Sequence, residues 1–216
     1  MKNIHLLLAK PARKQKADGS RFWGNPALPQ GYPYPTYPDS RGIPRPYTFI
    51  CQINLGELAQ YEEANPLPHK GLLSFFTKID RYMGHWDAED CISGYISRQE
   101  DVKVLYFPDC TTFEEVGRLK EKNGTFVSPA ELQIKFADKV KKYSDEHRLF
   151  APPEHREWET WDSPFEEWRI LLQVDSFDGD DFNLNFMDCG VLDFLISPED
   201  LKNGNFDNVR AIVLST

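Results

Sequence analysis

Two stretches of this chain follow one plan. In the first, "FICQINL" is followed by Gly71 with "LLSFF" and then by "VKVLYF"; in the second, "LLQVDS" is followed by Gly190 with "VLDFL" and then by "VRAIVL". Each run is short, rich in β-branched and aromatic residues and bounded by turn formers, the pattern of a strand. Gln52 matches Gln173 and Asn54 matches Asp175, although the spacings agree only loosely. The repetition predicts an internal duplication, with repeat halves near 47–109 and 166–216 packed together inside a single domain spanning 1–216.

An earlier run, "HLLLA", adds one more strand candidate. Helices are predicted between the strands. "SPAELQIKFADKVKKY" has Ser128 as N-cap, Pro129 at the first helical position and Glu131 closing a capping box, with Leu132, Phe136, Val140 and Tyr143 on one face. Weaker starts stand at Asn54, Thr111, Ser163 and Ser197, the last stopped by Gly204. Irregular alternation of strands and helices predicts an α+β fold, with largely antiparallel sheets built from the duplicated strand unit and short peripheral helices.

The segment from Trp23 to Tyr47 holds seven of the 16 prolines and four of the nine tyrosines. Proline lacks the amide donor and fixes its own backbone angle, so this segment is neither a central strand nor a helix interior. It reads as an extended arm. Its tyrosines either pack on the domain's own core or present a polyproline ligand to an aromatic groove, and the arm's direct entry into "YTFICQI" favours the first.

With 216 residues and 40% apolar content, the chain buries roughly 70% of its unfolded surface by size scaling and needs no disulfide, metal or cofactor to fold. A formal charge of -9 argues against nucleic-acid binding, which depends on lysine and arginine neutralising phosphates, and points instead to a basic protein partner. No stretch approaches the ~20 apolar residues of a membrane span, and the apolar run at the N-terminus is shorter than a secretory core. Cys51, Cys91, Cys110 and Cys189 are too scattered to pair as C-x-x-C. They read as reduced thiols in a cytoplasmic protein.

Motifs of known chemistry are missing. There is no G-x-S-x-G elbow, no P-loop, no G-x-G-x-x-G and no H-E-x-x-H. Residues 175–181 carry four aspartates, but aligning Gly179 with the invariant glycine of a calcium loop puts Val174 at the first ligand position and Asn185 at the last. The cluster therefore reads as a solvated turn. "HREWETWDSPFEEWR" holds Trp158, Trp161 and Trp168 among acids, either as anchors that pin a loop to the core or as a dock for a cationic partner. His85 with its neighbouring acids reads as a polar connection. No catalytic residue and no metal ligand is assigned.

An ordered series of pieces resembles the YwqG-like family, a mostly bacterial group. "SRFWGNPALP" looks like its S-K-x-G-G-x-P-x-L-P entry, "TFICQINLGEL" its F-x-x-Q-I-N-L segment, "LPHKGLLSFF" its L-P-x-x-G-x-L-x-F-F and "VLYFPD" its V-x-Y-x-x-D strand. "HRLFAPP" is similar to the H-x-L-x-G-x-P turn, and "EEWRILLQVDS", "DCGVLDFLISPEDL" and "NFDNVRAIV" to the closing block. The chain departs from the pattern at Trp23 and Ala151, where glycine is usual, and at Phe186 and Met187, where tryptophan and glycine are usual. The resemblance implies a duplicated α+β fold and no established reaction; through relatives encoded near secreted toxins it suggests an immunity-like role.

The expected function is a non-enzymatic cytoplasmic binding module acting by protein-protein contact. The alternative is a small-ligand binder, or an enzyme, using a cleft between the two halves. For that cleft the candidate binding residues are Arg21, Trp23, Asn54, His147, Gln173, Asp175 and Asp188, at strand ends or turns of the matched blocks.

Overall fold

The computed structural model describes residues 3–79, 91–109, 111–124, 127–140, 146–154 and 161–215. Ten strands form one sheet: β1 (Ile4–Ala9), β2 (Arg21–Phe22), β3 (Thr48–Asn54), β4 (Leu72–Thr77), β5 (Val102–Phe107), β6 (Leu132–Ala137), β7 (Arg148–Leu149), β8 (Arg169–Asp175), β9 (Val191–Ile196) and β10 (Arg210–Leu214). Their order is β10-β9-β8-β7-β1-β6-β2-β3-β4-β5, with every neighbouring pair antiparallel. The order is symmetric about the β1/β6 boundary, and the five strands on each side are called here the first half (β6, β2, β3, β4, β5) and the second half (β1, β7, β8, β9, β10).

The correspondence extends to irregularities. A register shift falls at Ile50 between Phe49 and Cys51 of β3, and another at Leu171 between Ile170 and Leu172 of β8. Each bulge carbonyl accepts the N–H of a residue with positive φ just beyond the short partner strand: Trp23 (φ 61) to Ile50 O at 2.8 Å, and Phe150 (φ 57) to Leu171 O at 3.2 Å. Gly71 and Gly190 precede β4 and β9. A Cβ on Gly71, itself at φ 97, would lie 2.6 Å from Phe107 O, and one on Gly190 would collide with Leu214 O. In both halves backbone packing on the last residue of the next strand demands glycine.

The sheet curls so that its inner face encloses the main core, where Phe75 of β4 meets Phe194 of β9 with ring centroids 5.2 Å apart. The edge of β10 is closed by the segment leading into β5: Ser97 N–H donates to Ala211 O at 2.8 Å, and Val213 N–H to Ser93 O at 3.0 Å. Each half also has a covered outer face. On the first, Leu28, Tyr47, Phe49, Phe76 and Leu105 pack under Tyr34 and Tyr37 of the proline-rich arm; on the second, Ile170, Leu195 and Ile212 pack under Ala151, Trp161, Phe165 and Trp168.

The α+β expectation is overturned: the fold is mostly β. Among the described residues the one α-helix is Pro198–Asn203, with Ser197 capping through Asp200 N–H and Gly204 closing it at φ 63. The stretch after Asn54 is a 3-10 helix, Leu55–Ala64. The expected helix from Ser128 is instead the central strand β6. Leu132 and Phe136 satisfy helical spacing, but Leu132, Ile134 and Phe136 also satisfy the period of two, and pairing with β1 on one side and β2 on the other decides between them. Its helix-start residues serve tertiary contacts: Ser128 Oγ accepts from Asn25 Nδ2 at 3.2 Å, and the Glu131 carboxylate takes Arg21 at 2.9 Å. Likewise Phe113–Glu115, read as helix, pairs with Ala27–Pro29 of the arm. Tyr143, Trp158, Cys110 and His85 lie outside the described residues.

Candidate functional site

Matching register positions set one arginine beside one glutamine in each half. Arg21 lies opposite Gln52, and Gln52 opposite Ser74; Arg148 lies opposite Gln173, and Gln173 opposite Asp193. Directly opposed residues project from the same face of a sheet, here the outer one, and all six are buried.

The first row is held by the chain before and after it. Gln52 Nε2 donates to Ala17 O at 2.8 Å and Gly19 O at 2.9 Å, and its Oε1 accepts the Ala27 N–H at 2.8 Å. Arg21 places Nη1 at 2.9 Å from Glu131 and 3.3 Å from Glu115, and Nη2 at 2.6 Å from Lys16 O. In the second row Gln173 Nε2 donates to Glu146 O at 3.0 Å, but among the described residues Gln173 Oε1 and Asp193 Oδ1 have no hydrogen-bond partner. Arg148 Nη2 is taken by Glu146 at 2.8 Å and Glu154 at 2.7 Å. Burial raises the Asp193 carboxyl to about 8, with the Arg148 charge pulling against it.

Beside these rows, Asn54 N–H donates to Ser20 Oγ at 2.9 Å and Asp175 N–H to His147 Nδ1 at 3.0 Å, so Ser20 and His147 do the same work in the two halves. Accepting at Nδ1 fixes the His147 proton on the buried Nε2, and the ring sits against Phe22 and Phe177, with ring centroids 5.4 and 5.6 Å away. Burial there lowers the imidazole to about 4.

The arrangement best suited to a ligand is a cavity of about 280 Å³ between the first half and the ribbon Phe177–Asp178/Asn183–Leu184 of the second. Trp23 and Phe182 stack as one wall, with centroids 4.7 Å apart and planes 19° apart. Tyr34, Thr48 and Phe49 line the first half's side, Asp181 the ribbon's. Arg118 reaches in from the connection after Glu115; among the described residues its contact is Nη1 to Thr48 Oγ1, at 3.4 Å. Asp181 accepts the Ala130 N–H at 2.8 Å, and Leu119, 62% exposed, stands among the lining residues. Holding a tryptophan at φ 61 costs on the order of 1–3 kcal/mol that a glycine would not incur. That cost falls on the residue forming the cavity's wall.

The seven candidates from sequence do not gather in one place. Trp23 lines this cavity. Arg21 belongs to the buried first row, and Asn54 ends β3. His147, Gln173 and Asp175 cluster around the start of β7 and the end of β8. Asp188 is exposed on the turn closed by the Phe186–Gly190 bridge, between Met187 (φ 55) and Cys189 (φ 57). Arg118, Phe182 and Asp193 were not singled out from sequence. Asp193 left a signal, as the one acid inside the apolar run "VLDFLI"; Arg118 left none. Of the aspartate cluster, Asp178, Asp180 and Asp181 are exposed, Asp180 paired with Lys10 at 2.9 Å. Among the described residues no group of three or more His, Cys, Asp or Glu is placed to hold a metal ion, and no helix is long and apolar enough to cross a membrane.

No curated protein matches the chain. A family described as a domain of unknown function, DUF1963, matches residues 20–213, and the chain belongs to that family.

Proposed function

We propose that this member of a family without an assigned activity is a non-enzymatic binding module, and that its site is the Trp23–Phe182–Arg118 cavity. The ligand class is a small molecule carrying one carboxylate or phosphate on a flat apolar body: the guanidinium supplies charge-assisted donors and the indole supplies a stacking face. The carrying observation is Trp23, a bulky residue held where glycine fits without strain, stacked to make a wall opposite an arginine that forms no ion pair among the described residues. Benzoate and phenyl phosphate are the probes. Titrating each while following the tryptophan indole N–H resonances should show saturable shifts in the wild type and at least a tenfold weaker affinity in Arg118→Ala. Equal affinities in the two proteins would reject the site.

Protein-protein contact with a basic partner, in an immunity-like role, is the second reading. It is supported by the net charge of -9 and by a cavity of about 460 Å³ on the second outer face, lined by Trp161, Trp168, Glu166 and Glu167, with Arg169 at its side. An isolated complex should then associate more slowly at low salt when Glu166 and Glu167 are replaced by lysine. On the same footing, the series of motifs supports a YwqG-like member within the family, and the scattered cysteines support residence in the cytoplasm.

A further inference from the structure

The two rows differ at one hydrogen bond. In the first half, Gln52 Oε1 is satisfied because the chain beyond Trp23 runs on as the arm and delivers the Ala27 N–H, 2.8 Å away. In the second half, the chain beyond Phe150 turns off instead: the Glu154 N–H donates to Pro152 O at 2.8 Å, and the Glu154 carboxylate goes to Arg148. Among the described residues no donor reaches Gln173 Oε1. Ser74, the neighbour of Gln52 on β4, is replaced at the matching position of β9 by Asp193.

As an ionised carboxylate Asp193 would add a second bare acceptor beside the first, both fully buried, at the cost of two unpaired polar groups and one unpaired charge. Among the described residues its surroundings offer no counter-charge in contact. On β10 the opposing residue is the apolar Ile212, and Arg210 spends its Nη1 on Asn208 O at 2.7 Å. On β8 the neighbour is the amide of Gln173. On β7 Arg148 lies one strand further away, with its Nη2 already between Glu146 and Glu154. The cover contributes Ala151, Trp161, Phe165 and Trp168.

We infer that Asp193 is a neutral carboxylic acid in the folded protein and that its O–H donates to Gln173 Oε1, making between β8 and β9 the hydrogen bond that the arm's Ala27 N–H makes in the first half. The carboxyl proton thus does the work of a missing segment of chain. When it is lost to water, two acceptors face each other beneath the tryptophan-bearing cover, and the second half loosens while the first does not. The burial-raised carboxyl value agrees with this sign. The fold therefore carries a latch that alkali opens, located in one half only.

Carboxyl-labelled aspartate in the whole protein tests it by nuclear magnetic resonance. One aspartate resonance, missing from Asp193→Asn, should remain in the protonated range when the others have ionised and should titrate near 8. Finding that resonance already ionised at neutral pH would overturn the latch, and the wild type alone suffices if the variant fails to fold, because every aspartate titrating in the ordinary acidic range has the same meaning. A second readout is urea unfolding of wild type, Asp193→Asn and Asp193→Ser, the last installing the first half's residue. The wild-type folding constant should fall, relative to either variant, by up to tenfold per pH unit between 3.8 and about 8. Parallel profiles for all three would contradict the inference.

Discussion

Arg21, Gln52 and Ser74 in one half and Arg148, Gln173 and Asp193 in the other stand at the same positions of the same scaffold, yet they are stabilised by different means. The first row is buttressed largely by backbone: three carbonyls or amides from residues 17–27 saturate Gln52, and two carbonyls together with two carboxylates close on Arg21. The second row is buttressed by titratable side chains, with His147 standing in for Ser20 and Asp193 for Ser74. One architecture thus yields one row held by backbone groups and ion pairs and another that carries two buried groups with shifted titration, His147 and Asp193.

The largest expected effect separates the two arginines. Arg21→Ala strips the partner from Glu115 and Glu131, whose side chains are 29% and 23% exposed, and should cost about 3–5 kcal/mol in urea unfolding. Arg148→Ala releases Glu146 and Glu154, which are 44% and 53% exposed and rehydrate readily, so its cost should be nearer about 1 kcal/mol. Equal costs would erase the distinction.

Next comes pH. His147 is held at about 4 in the fold against 6.5 unfolded, so unfolding takes up a proton and stability is lost as pH falls through that interval. Asp193, raised from 3.8 to about 8, acts in the opposite sense, losing stability as pH rises. From about 4 to 6.5 the two slopes cancel, and above 6.5 that of Asp193 stands alone. Removing the imidazole with His147→Asn should therefore expose a falling stability from pH 4 upward, a change of about 3 kcal/mol over that interval, measurable from urea midpoints. A profile unchanged from wild type would show that His147 is not held neutral.

The smallest effect is Ser74→Ala. Its buried hydroxyl has no partner among the described residues, so the substitution should change stability by less than about 0.5 kcal/mol, whereas a loss above about 1 kcal/mol would reveal a bond that the first row hides.

Much of the sheet was legible because its strands are apolar runs bounded by turn residues, and the matched glutamines and glycines marked positions that pair in the same way. The central strand β6 was not, since Leu132, Ile134 and Phe136 fit two periods at once and only the neighbours β1 and β2 choose between them. The site was legible only in part. Trp23 stood out, but its wall partner Phe182 lay in a segment readable only as an acidic turn, and Arg118 falls in the stretch from Thr111 read as a helix, where an arginine is ordinarily a solvated residue. The Asp193–Gln173 pairing depends on the register between β8 and β9, which no local pattern encodes.

Whether the cavity between the halves holds a small molecule is decided by native mass spectrometry of the protein purified gently from its own host. The wild type should carry an increment of a few hundred daltons that is released on denaturation and absent from Arg118→Ala. A bare wild-type mass, or the same increment in both proteins, would contradict the proposed site.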